Sequence, residues 1–370
     1  MKKLFYYTPY SYPDNNAAAI RNEAFINILS KHFDINIYTG SKTNKYISLL
    51  FRNPSNRSHF LIRLLKEIIC GLELFLRIFI SKSDIYFFSS PPYFTIFIAV
   101  LACNLRNKKY ILDIRDLYPE VFFNVNLIKK DSTIGFIITS FTNFIYNQSI
   151  LITTVTDGLV ETLKSITRTK VILIRNGYDQ NLFNFQQFKK FDNLSCVFHG
   201  TLGSFQDIEL LSEIIQKVEI INPSIHFYII GDGPKKEIIN ALKSSNYTYH
   251  KRMNFNEIPS FISKCHIGLS FRVNNKITTD SFPVKVYEYI GVGLPIISTP
   301  VNCEAGNFIE NYQIGYNFEP TDSELLINKI LELNQDLELR KNLESNIKKV
   351  RKEFTRQIQA EKLLEELLKL

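Results

Sequence analysis

The sequence has few of the patterns that mark disulfide-bonded, zinc-binding or P-loop proteins. Its cysteines are odd in number, widely spread and mostly set in apolar runs: Cys70, Cys103, Cys196, Cys265 and Cys303. Such thiols are typical of the reduced core of a cytoplasmic protein. The chain has no C-x-x-C string, no close His/Cys cluster and no Walker A string, which argues against zinc-finger and P-loop functions.

Long uninterrupted hydrophobic runs are lacking as well. The apolar stretch 94–105 is too short to cross a bilayer, and the stretch 134–152 is broken by polar residues such as Thr139 and Asn143. The first lysines precede an apolar run that soon meets Pro9, which predicts a strand and loop rather than an export signal. We therefore expect no transmembrane helix.

What the chain does have is the composition of a folded, basic, two-domain protein. Its 370 residues exceed what one hydrophobic core usually serves. Hydrophobic residues make up 45% and charged residues 22%, as in ordinary globular proteins. The formal net charge of +8 favours an anionic partner, and nucleic acid, an acidic membrane or a phosphorylated substrate would each satisfy it.

Short apolar strands that alternate with helical segments indicate an α/β fold. The chain opens with an expected strand at 4–7, a helix at about 17–32 and a strand at 34–39. Further strands are expected at 85–89, 110–114, 150–155, 171–174, 194–198, 225–230, 266–271 and 294–298. Open parallel sheets bind ligands beyond the carboxyl ends of their strands, so polar residues at those ends are the candidates for function.

The stretch 280–295 places two carboxylates and a cation beside the start of a helix. Pro283 suits a first helical turn because its missing N–H is no loss there. In a helix that begins there, Lys285 and Glu288 stand three residues apart on one face, and Asp280 lies in the preceding loop. The glycines that follow are expected to end the helix. A solvated Lys–Glu pair on a surface helix is the alternative interpretation.

The same stretch resembles a family signature. It reads Asp280-Ser281-Phe282-Pro283-Val284-Lys285-Val286-Tyr287-Glu288-Tyr289-Ile290-Gly291-Val292-Gly293-Leu294-Pro295. The signature is D/E-x7-E around F-P-x-K-x-x-E-Y-x-x-x-G-x-P, found in family 4 retaining glycosyltransferases of GT-B fold. The resemblance implies that Glu288 holds the ribose of the nucleotide, that Asp280 lies by the donor sugar and that Lys285 contacts phosphate. No D-x-D string occurs, so we expect neither a bridging metal nor another cofactor.

Two glycine turns add to the resemblance. Gly231-Asp232-Gly233-Pro234 matches the G-x-G-P turn of the family, and Gly200 and Gly203 follow a predicted strand, where backbone N–H groups can approach phosphate. The family often carries an Arg shortly after this loop, which Ser204-Phe205-Gln206-Asp207 does not supply. Diphosphate contact is therefore expected from three other cations: Arg272, Lys276 and Lys285.

The first half of the chain carries a second resemblance. The string Asp113-Ile114-Arg115-Asp116-Leu117-Tyr118-Pro119-Glu120 is similar to the D-x-R-D-L-x-P-E element of a bacterial branch that builds amino-sugar-containing O-antigen and capsule chains, the fucosamine-type transferases. Many other members have a His just before the second Asp, and here Arg115 stands in its place. A role based on His is therefore not transferred to Arg115 and Asp116. A structural Arg–Asp pair at the strand end is the alternative.

The first loop departs from the family. The family usually has a Gly-rich loop followed by an Arg, whereas this chain reads Asn15-Asn16-Ala17-Ala18-Ala19-Ile20-Arg21. Asn16 and Arg21 are kept as acceptor-side candidates, and an exposed helix arginine is the alternative for Arg21. The full set of expected site residues is catalytic Asp280, Lys285, Asp116 and Arg115; nucleotide-binding Glu288, Gly200, Gly203, Gly231, Gly233, Pro283 and Arg272; and acceptor-side Arg21 and Asn16.

The resemblance covers nearly the whole chain and implies a GT-B architecture of two Rossmann-like domains that face a central cleft. Residues 1–170 would form the acceptor-side domain, 171–353 the donor-binding domain, and a helix at 354–370 would cross back onto the first. The polar stretch 178–193 is expected to be a linker.

The implied activity moves a sugar, in this branch an N-acetylated amino sugar, from a UDP-sugar to a polyprenyl-diphosphate-linked glycan with retention of configuration. That reaction would serve capsule or O-antigen polysaccharide biosynthesis. An inactive GT-B scaffold that acts as a membrane adaptor is the main alternative. A nucleic-acid-binding protein would also fit the charge, but we find no Arg/Lys stripe with interleaved aromatic residues.

The stretch 60–80 combines apolar residues with cations, as a basic amphipathic helix on an anionic membrane does. Arg57, Arg63 and Lys66, together with the segment 106–109, are expected to hold the protein on the inner face of the cytoplasmic membrane. A core helix with cationic ends is the alternative interpretation of the same stretch.

Overall fold

The computed structural model describes residues 1–14, 16–50, 60–183 and 188–370, without the side chains of Phe60 and Ile277. The chain divides into two units, the first formed by 1–176 with 360–370 and the second by 177–359. Each unit has a parallel sheet and its own buried clusters of hydrophobic residues. The predicted fold of two Rossmann-like α/β domains is confirmed.

Seven strands build the sheet of the first unit: β1 (Lys3–Thr8), β2 (Asp34–Thr39), β3 (Ile47–Ser48), β4 (Ile85–Ser89), β5 (Lys109–Ile114), β6 (Leu151–Thr154) and β7 (Val171–Leu173). Its helices are α1 (Ala17–Leu29), α2 (Phe60–Ile80), α3 (Tyr93–Leu105), α4 (Glu120–Asn124), α5 (Thr133–Gln148) and α6 (Asp157–Ile166). The strand order is β3-β2-β1-β4-β5-β6-β7, with every pair parallel. All residues of β4 are buried, as expected for a strand with helices on both faces.

The second unit repeats this plan with six strands: β8 (Ser195–His199), β9 (His226–Ile230), β10 (Tyr247–His250), β11 (Ile267–Ser270), β12 (Ile296–Ser298) and β13 (Gly315–Asn317). Its helices are α7 (Ile208–Ile221), α8 (Lys236–Asn240), α9 (Ile258–Ile262), α10 (Lys276–Thr279), α11 (Val284–Val292), α12 (Glu304–Asn311), α13 (Ser323–Gln335) and α14 (Leu337–Val350), followed by a 3-10 turn (Arg351–Phe354). The parallel order β10-β9-β8-β11-β12-β13 changes direction between β8 and β11. Ligands of such sheets bind at that point, beyond the strand ends.

The last helix, α15 (Arg356–Leu368), returns to the first unit. Ala360, Leu363 and Leu367 are fully buried in the same cluster as Leu4 and Tyr6 of β1. The predicted helix that crosses back is therefore confirmed, because its apolar face completes the core of the first unit.

The division between the units falls at residue 176 rather than at the expected 170. Ile174 is buried with the residues of the first core, and the backbone oxygen of Arg175 accepts a hydrogen bond from Arg21 of α1. The stretch expected to be a linker is also part of a folded unit. Tyr178 and Phe183 are buried in a core cluster of the second unit, while 184–187 lie outside the described residues.

Helix α11 begins one residue later than the sequence predicts, and one of the two glycines expected to end it lies inside it. Pro283 is the N-cap residue rather than the first helical residue. Gly291, one of the glycines expected to end the helix, lies inside it, where a Cβ atom would come within 2.8 Å of the backbone oxygen of Phe183. Gly293 does end the helix, at a φ of 81°, which glycine adopts without strain.

Helix α2 has features of both interpretations of its sequence. Cys70, Leu74 and Ile78 are buried in the core of the first unit. On the same helix Leu61 and Leu65 are 64% and 59% exposed. No helix in the described part of the chain has the length and hydropathy of a membrane-spanning segment.

Candidate active site

Two loops meet at the carboxyl edge of the second sheet, after β8 and after β9. Gly200 has a φ of 123°, and a Cβ atom on Gly231 would lie 1.9 Å from the backbone oxygen of Gly200. A Cβ on Gly233 would lie 2.3 Å from the backbone oxygen of Leu202, whereas one on Gly203 would meet only a methyl group at 3.4 Å. Three of the four glycines are therefore needed for backbone conformation or close approach.

Lys285 brings a cation to these loops. Its side chain is buried, and Nζ lies 3.7 Å from the ring centroid of Phe198 at the end of β8. Nζ donates a hydrogen bond of 3.0 Å to Oε1 of Gln206, and it would lie 3.5 Å from a Cβ atom on Gly200. Burial, assisted by the charge of Arg272 and opposed by that of Glu288, lowers the pKa of Lys285 to about 7.

Glu288 lies one helical turn further along α11. Its carboxylate is buried, and Oε2 lies 3.4 Å from Nε2 of His199. Burial raises the pKa of Glu288 to about 7 against the opposing effect of Arg356 and Lys285. Burial and the charge of Lys285 lower the pKa of His199 to about 3, so the ring is neutral at pH 7 and its contact with Glu288 is not an ion pair. Within the described residues Nε2 of His199 has no hydrogen-bond partner.

Arg272, expected to contact diphosphate, makes several hydrogen bonds within the protein. Its Nη1 donates to the backbone oxygens of Thr278 and Ser281 at 2.7 and 2.8 Å, and its Nη2 donates to Oγ of Ser281 at 2.9 Å. Burial lowers the pKa of Arg272 to about 10. This residue therefore holds the segment before α11 in place. That segment carries Asp280, which is exposed, and Lys276 is exposed at the start of α10.

In the first unit Arg21 is buried, contrary to the exposed arginine that the sequence allowed. Its Nη2 donates to Oδ1 of Asp113 at 3.0 Å and its Nη1 to the backbone oxygen of Arg175 at 2.8 Å. Asp113 also accepts a hydrogen bond of 2.7 Å from Thr153. Although burial opposes ionisation, Arg21 and Arg115 hold the pKa of Asp113 below its usual value. A structural Arg–Asp pair thus lies at the end of β5, formed by Asp113 with Arg21 of α1.

The other expected residues of the first unit lie nearer the surface. Arg115 donates from Nε to the backbone oxygen of Ser90 at 2.6 Å, and its buried Nη2 has no partner among the described residues. Asp116 is exposed at the end of β5. Asn16 is exposed and caps α1, because its Oδ1 accepts a hydrogen bond of 2.9 Å from the backbone N–H of Ala19.

The structure thus groups Lys285 and Glu288 with Gly200 in the second unit. Sequence reasoning missed three side chains of this group, namely Phe198, His199 and Gln206. His199 directly precedes Gly200 in the sequence, so its position at a strand end was the available signal. Gln206 was noted only for not being an arginine. No group of three or more metal-ligating side chains suited to an ion occurs among the described residues.

Replacing Glu288 with Gln is expected to stabilise the second unit above pH 7. The pKa of Glu288 in the folded state, about 7, exceeds the usual 4.5. The ionised carboxylate therefore destabilises the folded state, and this destabilisation grows as pH rises from 4.5 to 7 and is complete above pH 7. At about 1.4 kcal/mol per pKa unit the gain is about 3 kcal/mol at pH 8 and about 1 kcal/mol at pH 5. Urea unfolding at both pH values measures it.

The control for that measurement is Glu310→Gln, which changes an exposed carboxylate of the same unit. Its stability relative to the unchanged protein is measured at the same two pH values. If the stability gained by Glu288→Gln does not grow between these pH values, the raised pKa of the buried Glu288 carboxylate is contradicted.

Comparison with known proteins agrees with the sequence resemblance. Residues 179–350 match the family described as Glycosyl transferases group 1. The chain is 28% identical over 192 residues to an uncharacterized glycosyltransferase, MJ1178, of Methanocaldococcus jannaschii, a match that covers 51% of this chain and 50% of that protein. It is also 28% identical over 137 residues to one of the subunits of phosphatidylinositol N-acetylglucosaminyltransferase of Homo sapiens, which covers 35% of this chain and 27% of that protein. The matches thus span about half the length of the first relative and about a quarter of the second.

Among solved structures, Anabaena Alr3699/HepE in complex with UDP superposes with a TM-score of 0.73 and 14% sequence identity. The match covers 100% of both chains. At this identity the likeness establishes the fold of the whole chain.

Proposed function

We propose that this chain, whose residues 179–350 match the Glycosyl transferases group 1 family, transfers a sugar from a UDP-sugar to an acceptor. The proposal depends mainly on the position of Lys285, a buried cation that lies against Gly200 in the loop after β8. A buried ammonium beside loop backbone suits a ligand with concentrated negative charge, such as a diphosphate. Glu288 on the same helix face adds an acceptor suited to a diol.

The chemistry then follows from these positions. Glu288 accepts hydrogen bonds from the ribose hydroxyl groups of the nucleotide, and Lys285 with nearby backbone N–H groups binds the diphosphate. As the bond to the sugar breaks, negative charge develops on the leaving diphosphate. A cation already fixed in a buried site stabilises that charge without the need to reorganise solvent. Asp280, held close by the segment that Arg272 braces, lies on the side of the donor sugar in this proposal.

The finer assignment is an N-acetylated amino sugar moved to a lipid-linked glycan, with retention of configuration, for capsule or O-antigen synthesis. It is supported by the D-x-R-D-L-x-P-E element at 113–120 and by the similarity to a relative that is named as part of a phosphatidylinositol N-acetylglucosaminyltransferase. Arg115 and Asp116 are the proposed catalytic residues of the first unit, and Arg115 retains a buried donor for such a role.

The first test is thermal unfolding with a panel of nucleotides, because a ligand that binds the folded state raises the melting temperature. UDP and UDP-N-acetylglucosamine should stabilise the protein, and GDP-mannose should not. Transfer to a polyprenyl-diphosphate-linked sugar is then measured in EDTA, where activity is expected because Lys285 supplies the charge beside the diphosphate. Binding of UDP without transfer to any acceptor would favour the alternative of an inactive scaffold. No stabilisation by any nucleotide would reject the proposal.

Attachment to an anionic membrane is proposed through α2. Leu61 and Leu65 are exposed beside exposed Lys66, while Arg57 lies outside the described residues. Two of the expected cations also have partners within the protein. Arg63 is paired with Glu67, and Arg106 donates to the backbone oxygens of Ile78 and Ser81.

Lys66→Glu is therefore expected to weaken vesicle binding by about 30-fold, since each cation near an anionic surface contributes about 1 kcal/mol and reversing the charge changes binding by about 2 kcal/mol. The measurement is sedimentation with vesicles of graded phosphatidylglycerol content. Lys243→Glu makes the same change at an exposed site of the second unit and should leave binding intact. Equal loss in both variants would show that only the overall charge matters.

A further inference from the structure

A cavity of ≈ 240 Å³ lies between α2, α3 and α4 of the first unit, and we call it the aromatic pocket. Tyr93, Phe94, Tyr118 and Phe122 line it and contact one another with ring centroids 4.9 to 5.7 Å apart. The hydroxyl of Tyr93 bonds with Thr142 at 2.7 Å, so its polar end is satisfied inside the protein. Since an apolar cavity of about 150 Å³ already binds benzene, the pocket has room for a short branched hydrocarbon.

The charged residues that line the pocket compensate each other. Glu67 is buried, and its Oε1 accepts a hydrogen bond of 3.0 Å from Nε of Arg63. Its Oε2 accepts a bond of 3.4 Å from the backbone N–H of Phe94. Burial raises the pKa of Glu67 and Arg63 opposes that rise. The interior therefore offers apolar surface, with its one carboxylate already satisfied.

The mouth of the pocket combines exposed apolar side chains with cations. Val125 and Leu127, which line the pocket, are 55% and 39% exposed. The side chain of Arg63 is also 39% exposed although its Nε is engaged, and Lys66 lies one turn further along α2 in an exposed position. A ligand with an apolar tail and an anionic group on the first carbon of that tail fits this arrangement. The tail fits the apolar interior, and the anionic group fits the cations at the mouth.

We propose that the aromatic pocket binds the first isoprene units of a prenyl phosphate, with the phosphate group at Arg63 and Lys66. This inference rests on the proposed function, because the prenyl phosphate is the lipid part of the acceptor in that reaction. A prenyl phosphate carries its phosphate directly on the chain, so a cation at the wall of the pocket reaches it. In a phospholipid, glycerol and ester groups separate the phosphate from the hydrocarbon. Isoprene units are wholly apolar, so their burial against these aromatic rings is favourable.

The experiment uses the absence of tryptophan from the chain. Val125→Trp places a single fluorophore at the mouth, and farnesyl phosphate is titrated into the full-length protein without detergent. We expect a saturable blue shift of emission. Ile220→Trp, at an 84% exposed site of α7 in the second unit, is the matched control and should show no shift. No saturable shift in Val125→Trp overturns the proposal.

A second variant separates the pocket from general adsorption. Val121→Phe, introduced into the Val125→Trp background, fills the pocket from its wall and is expected to weaken farnesyl phosphate binding by about tenfold, or about 1.4 kcal/mol. Its melting temperature without ligand reports whether the fold is kept. Farnesol should bind more weakly than farnesyl phosphate, and inorganic diphosphate should give no shift. Unchanged affinity in a folded Val121→Phe variant, or an equal response to phosphatidylglycerol vesicles, would mean that the pocket is not the binding site.

The melting-temperature response to UDP is measured in the same samples. A protein that binds UDP but not farnesyl phosphate refutes the pocket assignment alone. One that binds farnesyl phosphate but no nucleotide refutes the proposed transfer and leaves a lipid site.

Discussion

Replacing Lys285 with Met is expected to lower turnover by about 100-fold or more, as for other preorganised electrostatic stabilisers. Met keeps the length of the side chain, but it removes the ammonium that lies over Phe198 and beside Gly200. The loss should appear in kcat as well as in substrate binding, because charge on the leaving diphosphate grows as the reaction proceeds. Steady-state kinetics with a UDP-sugar measure it. Lys243→Met, an exposed lysine of the same unit, is the control and should retain full activity.

The pH dependence provides an independent check on Lys285. Its pKa of about 7 means that the free protein loses this charge as pH rises through neutrality. A bound diphosphate favours the charged form, so binding takes up a proton and affinity falls by up to about tenfold per pH unit above 7. Titration calorimetry in buffers of different ionisation enthalpy detects that proton. Proton uptake that persists in Lys285→Met would assign it to another group.

Replacing Glu288 with Ala is expected to lower UDP affinity by about 10²-fold to 10⁴-fold. Two hydrogen bonds from the ribose to a carboxylate contribute about 1.5–3 kcal/mol each, and every 1.4 kcal/mol is a factor of ten. The Glu288→Ala protein should stay folded, since a buried carboxylate with a raised pKa does not stabilise the folded state above pH 7. Calorimetric titration of UDP measures the affinity.

Uridine without the diphosphate separates the two site residues. The Glu288 change should weaken its binding, whereas Lys285→Met should affect only ligands that carry phosphate. Glu310→Ala alters an exposed carboxylate of the same unit and should bind UDP normally. Unchanged UDP affinity in a folded Glu288→Ala protein would contradict the ribose assignment.

The sequence was sufficient for the fold because the relevant signals are local. The continuous apolar runs at 85–88 and 196–198 predict strands covered on both faces, and each lies within a strand of the structure. The spacing of Lys285 and Glu288 likewise depends only on the geometry of α11. Neither signal depends on which residues of other segments pack against these elements.

The partners of these residues were beyond sequence reasoning, since they depend on contacts between distant segments. Gln206 and Lys285 are 79 residues apart in the chain, and Arg21 and Asp113 are 92 apart. A sequence shows which strand ends share an edge of a sheet, but not which way a side chain at that edge turns. The hydrogen bonds by which Arg272 holds the segment before α11 were missed for the same reason.

The return of α15 to the first unit makes the second unit an inserted domain. Its two ends are paired side by side, since the N–H of Tyr178 donates to the oxygen of Phe354 and the N–H of Arg356 to the oxygen of Tyr178, both at 2.9 Å. A gene fragment for 177–359 therefore encodes every residue of that unit in one run. The first unit is discontinuous, and a fragment that stops at 353 deletes Leu363 and Leu367 from its core. For recombination or domain exchange, the second unit is the portable module.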